Sequence, residues 1–131
     1  MDLDERDRKL FDSLLEEIIA ELPHEYRQML EEVPLIVDDE PSLELQKEMN
    51  AYVPGEPSDI CGAHSGPSIS SEARNELPYS TPMIQLFRGP LVRLAGRKAK
   101  TLRKEIRITL LHELGHHFDF DDDDLDDRGY G

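Results

Sequence analysis

The stretch L-L-H-E-L-G-H-H-F-D-F-D-D, from Leu110 to Asp122, holds His112, Glu113 and His116 in the spacing H-E-x-x-H. On a helix, positions four apart lie one turn above each other on the same face. Two imidazoles placed so can grip one metal ion. Glu113 follows the first histidine directly and can reach a water on that metal as its general base. Zinc lowers the pKa of a bound water to about 7, where a carboxylate can take its proton.

The flanking residues predict the helix this chemistry needs. Leu102, Ile106, Leu110 and Leu114 recur in steps of four, with Ile108, Leu111 and Phe118 as a second apolar stripe. Neither Pro nor Gly interrupts Thr101 to Leu114. Apolar residues on two sides predict a buried helix, whose packing would hold the histidine rotamers. Gly115 costs such a helix about 1 kcal/mol relative to Ala, or lets another segment approach the metal face.

Outward from this helix, composition sets bounds. A chain of 131 residues suits one compact domain spanning 1–131. Hydrophobic residues make up 37% and charged residues 34%, enough for a small core under a strongly solvated surface. The formal net charge of -14 and pI near 4.6 repel phosphates and anionic lipid. Nucleic acid and membrane surfaces are therefore not expected as partners, whereas cations and basic substrates are favoured. The single Cys61 excludes an internal disulfide. No apolar run reaches membrane-spanning length and no signal-type apolar region follows Met1, so the expectation is a soluble, cytoplasmic protein.

An amphipathic helix is expected from Asp4 to Leu22, apolar along Leu3, Leu10, Leu14, Ile18 and Leu22 with Phe11, Leu15 and Ile19 beside them, and with Pro23 stopping it. A short helix follows, with Tyr26, Met29 and Leu30 inward. V-P-L-I-V at Val33 to Val37 reads as a strand at a sheet edge, since Pro34 cannot donate to a ladder. Asp38-Asp39-Glu40-Pro41 reads as a solvated acidic turn, and Leu43 to Tyr52 as a short helix. Pro, Gly and Ser crowd Pro54 to Pro82, predicting loops with one or two brief strands. Within them Cys61 and His64 form C-x-x-H. This is either a buried thiol beside a surface imidazole or a pair of which one approaches the metal site as a lid or fourth ligand.

Met83 to Arg88 alternates like a strand, Gly89-Pro90 is expected to turn the chain, and Leu91 to Ala95 forms a short helix closed by Gly96. Eight basic residues between Arg88 and Arg107 suggest pairing with acidic segments elsewhere in preference to a nucleic-acid patch. The acidic run after His116 comprises Asp119, Asp121 to Asp124, Asp126 and Asp127. It lacks the Gly and closing Glu of an EF-hand loop, which argues against a calcium-responsive module.

From Ile84 to Tyr130 the segments F-R-G-P-L, R-I-T-L-L-H-E-L-G-H-H-F and D-D-D-D-L-D-D-R-G-Y resemble the zincin-like metallopeptidases, the minimal zincins. V-P-L-I-V-D-D-E-P and the N-terminal helix are similar too. The resemblance implies an α+β fold in which a small mixed sheet packs on the H-E-x-x-H helix. It implies zinc bound by His112, His116 and Asp122, the last ten positions after His112, with Glu113 as base. Asp119 stands where the family carries Gly, so the chain's exit from the helix differs, and which aspartate between 119 and 124 reaches the metal stays open. The function these residues imply is a zinc-dependent metallopeptidase, with a metal-binding or interaction module of little turnover as the alternative. An extended peptide substrate is expected to add to the Met83–Arg88 strand as an exposed edge.

Overall fold

The computed structural model describes residues 3–65 and 82–117. Five helices and three strands follow in the order α1 (Glu5–Glu21), α2 (His24–Glu32), β1 (Leu35–Asp38), α3 (Leu43–Glu48), β2 (Gly62–Ser65), β3 (Met83–Phe87), α4 (Arg88–Ala95) and α5 (Ala99–His117). The arrangement is α+β, with a small mixed sheet against helices.

α1 begins with a reciprocal capping box. Asp4 accepts from the Asp7 backbone N–H at 2.9 Å, and Asp7 accepts from the Asp4 N–H at 3.0 Å. Its inward face carries Phe11, Leu14, Leu15 and Ile18, all buried. Both expected rows contribute to this face, and Leu10 and Ile19 are only partly covered. Leu22 and Pro23 leave the helix in extended conformation, and Pro23 serves as N-cap of α2. Tyr26 of α2 is fully buried in the same core.

The sheet order is β1-β3-β2. β1 pairs with β3 in parallel, Leu35 opposite Ile84 and Val37 opposite Leu86. β2 pairs with β3 antiparallel, Gly62 opposite Leu86 and His64 opposite Ile84. β1 is an edge strand, as Pro34 predicts. β3 is the central strand, hydrogen-bonded on both sides, which overturns the expectation that Met83 to Arg88 offers an open edge. The apolar alternation at Ile84 and Leu86 that marks it as a strand is equally compatible with either place, because sheet order depends on contacts distant in sequence.

Gly89-Pro90 does not turn the chain. Both lie in the first turn of α4, where a missing proline N–H costs nothing because those donors have no intrahelical partner. Gly96 closes α4 in the left-handed region at φ 64°, as expected. Arg97 follows at φ 62°, a conformation costly for a side chain with Cβ, and its guanidinium reaches Asp7 at 2.9 Å.

The acidic turn after β1 is not simply solvated. Arg8 and Arg88 reach Asp39 at 3.0 and 3.2 Å, and Arg93 makes a two-pronged pair with Glu40. Arg88 also pairs with Asp12, and Arg103 with Glu17 and Glu21. The basic residues between Arg88 and Arg107 that are described in ion pairs therefore meet acidic segments, in line with the expectation. α3 ends earlier than the expected Tyr52, where Asn50 takes φ 55°.

α5 lies against β2, β3, α1 and α4. Leu102, Ile106, Leu110, Leu111 and Leu114 are each at most 1% exposed, which confirms a buried helix. At roughly 1.5–3 kcal/mol for each fully buried large apolar side chain, this face is a leading contributor to core stability. Gly115 is within the helix rather than at its end. No helix among the described residues is long and apolar enough to cross a membrane.

Candidate metal and catalytic site

The last two turns of α5 carry the site. Leu110, Leu111 and Leu114 anchor them in the core, which leaves His112, Glu113 and His116 on the half-buried side. One helical turn separates the two histidines. Their Nε2 atoms come within 2.9 Å of each other, with ring planes at 75°. Two imidazole nitrogens meet this closely either when one donates to the other or when both turn lone pairs toward one cation.

Glu113 points under β2. Its side chain is 14% exposed, and Oε2 is buried with no hydrogen-bond partner within the described residues. His64 Nδ1 lies 3.6 Å from Oε2, just beyond hydrogen-bond length, and forms an ion pair with it when the imidazole is protonated. The Glu113 carboxylate raises the His64 pKa above its ordinary value, against burial, which lowers it. His64 also lies nearly parallel to His116, with ring centroids 6.2 Å apart, and edge-on to the buried His117 at 6.3 Å.

β2 reaches this position because residue 62 is glycine. A Cβ there would lie 2.7 Å from Thr109 Cγ2, 3.1 Å from the Gln85 carbonyl oxygen and 3.3 Å from Glu113 Cγ. Only a residue without Cβ lets the strand lie this close to α5, and that closeness brings His64, two residues on, over Glu113.

Cys61 stays outside the site. Its sulfur is 3.7 Å from the Asp59 carbonyl oxygen and lines a separate cavity with Arg93. Burial, first, and then the Glu105 and Asp59 carboxylates push its pKa up to about 11, so it is a poor thiolate ligand at neutral pH. Of the C-x-x-H pair, only His64 approaches the metal face. The sequence shows no reason to prefer it, because its place depends on the β2–β3 register.

Asp122, the third expected ligand, and its neighbours Asp119, Asp121, Asp123 and Asp124 lie outside the described residues. Among the described residues no group of three or more His, Cys, Asp or Glu side chains is placed to hold a metal. The described histidines nevertheless fit zinc, with two convergent imidazole nitrogens, and the adjacent Glu113 carboxylate has a buried oxygen with no hydrogen-bond partner among the described residues.

A buried helix presenting H-E-x-x-H beneath the edge of a small mixed sheet defines a zincin-type scaffold. The zincin-like metallopeptidase family model matches residues 30–130, and the chain belongs to that family. Membership associates the protein with metallopeptidases and with zinc. A comparison with curated proteins finds no match.

Proposed function

We propose that the protein is a zinc-dependent metallopeptidase in which Glu113 is the general base. The observation that carries this reading is the buried Glu113 carboxylate, on the same helix end as the converging His112 and His116 nitrogens, whose Oε2 has no hydrogen-bond partner among the described residues. His112 and His116 would hold zinc through Nε2, with Asp122 as the third ligand. When bound, zinc supplies Lewis acidity toward a carbonyl and toward water.

The chain's own residues supply the rest. Glu113 Oε2 takes a proton from the attacking water and later passes it to the leaving amine nitrogen. Low exposure of the carboxylate strengthens its electrostatic interactions with reacting groups. His64 Nδ1 faces the same oxygen at 3.6 Å and, when protonated, would orient the carboxylate electrostatically. The peptide backbone would add along β2, whose second edge carries no strand among the described residues and which lies directly over Glu113.

The test is Glu113→Gln, which keeps the shape and removes the base. Zinc content should stay near one per chain, while hydrolysis of a peptide library falls by about 10²–10⁴-fold. If the variant cleaves as the parent does, Glu113 is not the base. If the zinc-loaded parent cleaves no member of the library, the protein is a metal-binding module and not a peptidase.

A further inference from the structure

We propose that the cavity between α3 and β2 is a subsite for a lysine or arginine side chain next to the bond to be cleaved. Its link to cleavage rests on the peptidase reading above; the choice of ligand rests on the cavity alone. The cavity has a volume of about 460 Å³, within the roughly 300–1,000 Å³ typical of small-ligand sites. Leu45, Met49 and Ala63 give it apolar wall, while Glu48 and Glu113 contribute its two carboxylates, and His64 lies between strand and helix.

That combination selects a long side chain with a cationic end. The methylene stem of lysine or arginine packs along apolar surface while the charged head seeks water or a carboxylate. Met49 is 47% exposed and unbranched, so it can adapt to such a stem. Among the described residues no Lys or Arg lines the cavity, and the adjacent Lys47 has its ammonium 5.4 Å from the Tyr52 ring centroid. An anionic side chain would meet two carboxylates in a protein of net charge -14. The cavity beside Cys61, of about 450 Å³, differs: it is lined by both Asp59 and Arg93, and Arg93 is already held by Glu40 and by the Ser58 carbonyl.

Since Glu113 lines the cavity and is also the proposed base, a side chain seated there belongs to a residue flanking the scissile bond. Glu48 sits at the solvent-exposed part, which makes the selection electrostatic and sensitive to salt.

The experiment measures binding of fluorescein-labelled Ala-Ala-Xaa-Ala-Ala peptides to the full chain stripped of metal, with Xaa as Lys, norleucine or Glu. The lysine peptide should bind about fivefold tighter than norleucine, the upper range for a solvent-exposed ion pair, and 0.5 M salt should reduce the difference. Glu48→Gln should abolish the preference and Glu48→Lys should turn it toward the Glu peptide. Glu44→Gln, on the same helix but outside the cavity, should leave it intact. Circular dichroism checks that each variant keeps the parent's fold. Equal binding of lysine and norleucine peptides, or a preference that survives Glu48→Gln, overturns the subsite. So does a loss that Glu44→Gln reproduces. A lysine preference in binding, with no cleavage by the zinc-loaded parent, would instead retain the subsite and sink the peptidase reading.

Discussion

Two charged clusters in this molecule are built on opposite terms. Beside β1 and α4, each charge is met: Arg88 by Asp12 and Asp39, Arg93 by Glu40, Arg8 by Asp39. Under β2, Glu113 is more deeply buried than any of those carboxylates, yet among the described residues one of its oxygens has no hydrogen-bond partner and meets His64 at 3.6 Å. A carboxylate in such a place costs stability that paired charges do not. The first cluster ties α1, the β1 turn and α4 together. The second leaves a buried carboxylate beside a histidine pair, the arrangement the proposed peptidase role of Glu113 requires.

The largest expected effect separates the clusters by metal. His112→Ala or His116→Ala should abolish stoichiometric zinc, read as zinc per chain after dialysis against a weak chelator. Asp122→Ala should do the same, and alanine at Asp121, Asp123 or Asp124 should cost far less. Should Asp122→Ala stay fully loaded while a neighbour's replacement empties the site, a different aspartate is the ligand. No replacement in the Arg88–Asp39 cluster should change zinc content.

Next comes His64. His64→Ala should lower peptide turnover by about 10–100-fold and leave zinc affinity within about tenfold, as befits a group that orients Glu113 without touching the metal. Cys61→Ser should leave both near the parent's values. Complete loss of zinc in either variant would make that residue a ligand.

Gly62→Ala tests how the two elements of the site are held together. Its methyl would sit 2.7 Å from Thr109 Cγ2 and force β2 off α5. Overpacking of this kind costs about 1–3 kcal/mol, to be read by chemical denaturation. Adding Thr109→Ser removes that methyl contact and should restore part of the loss. A Gly62→Ala protein as stable and as active as the parent would show that the close approach is dispensable.

The smallest effect belongs to the paired cluster. Arg88→Met should destabilise by about 1 kcal/mol, since its partners are partly exposed and water screens them. Its zinc content should be unchanged. A drop in zinc would mean that the two clusters are coupled through β3.

Much of the site is legible without a structure. His112, Glu113 and His116 announce themselves by spacing, and Leu102, Ile106, Leu110 and Leu114 announce the buried helix by period. These are local signals: helical geometry alone places such residues on shared faces. The edge character of β1 follows likewise from Pro34, and the end of α4 from Gly96. The Gly89-Pro90 pair misleads because the same dipeptide suits a turn or the first turn of a helix.

The amino-acid sequence by itself determined the α5 helix and the spacing of its three candidate site residues, because these depend on residues within a few turns of one another, and its resemblance across several segments indicated the zincin-like family. Only the tertiary structure decided that β3 lies between β1 and β2, that His64 and not Cys61 faces Glu113, and that Gly62 lets them meet. Those facts rest on strand register and close packing between segments some fifty residues apart, such as Gly62 and Glu113. No local period encodes such contacts; they are chosen when the whole core closes.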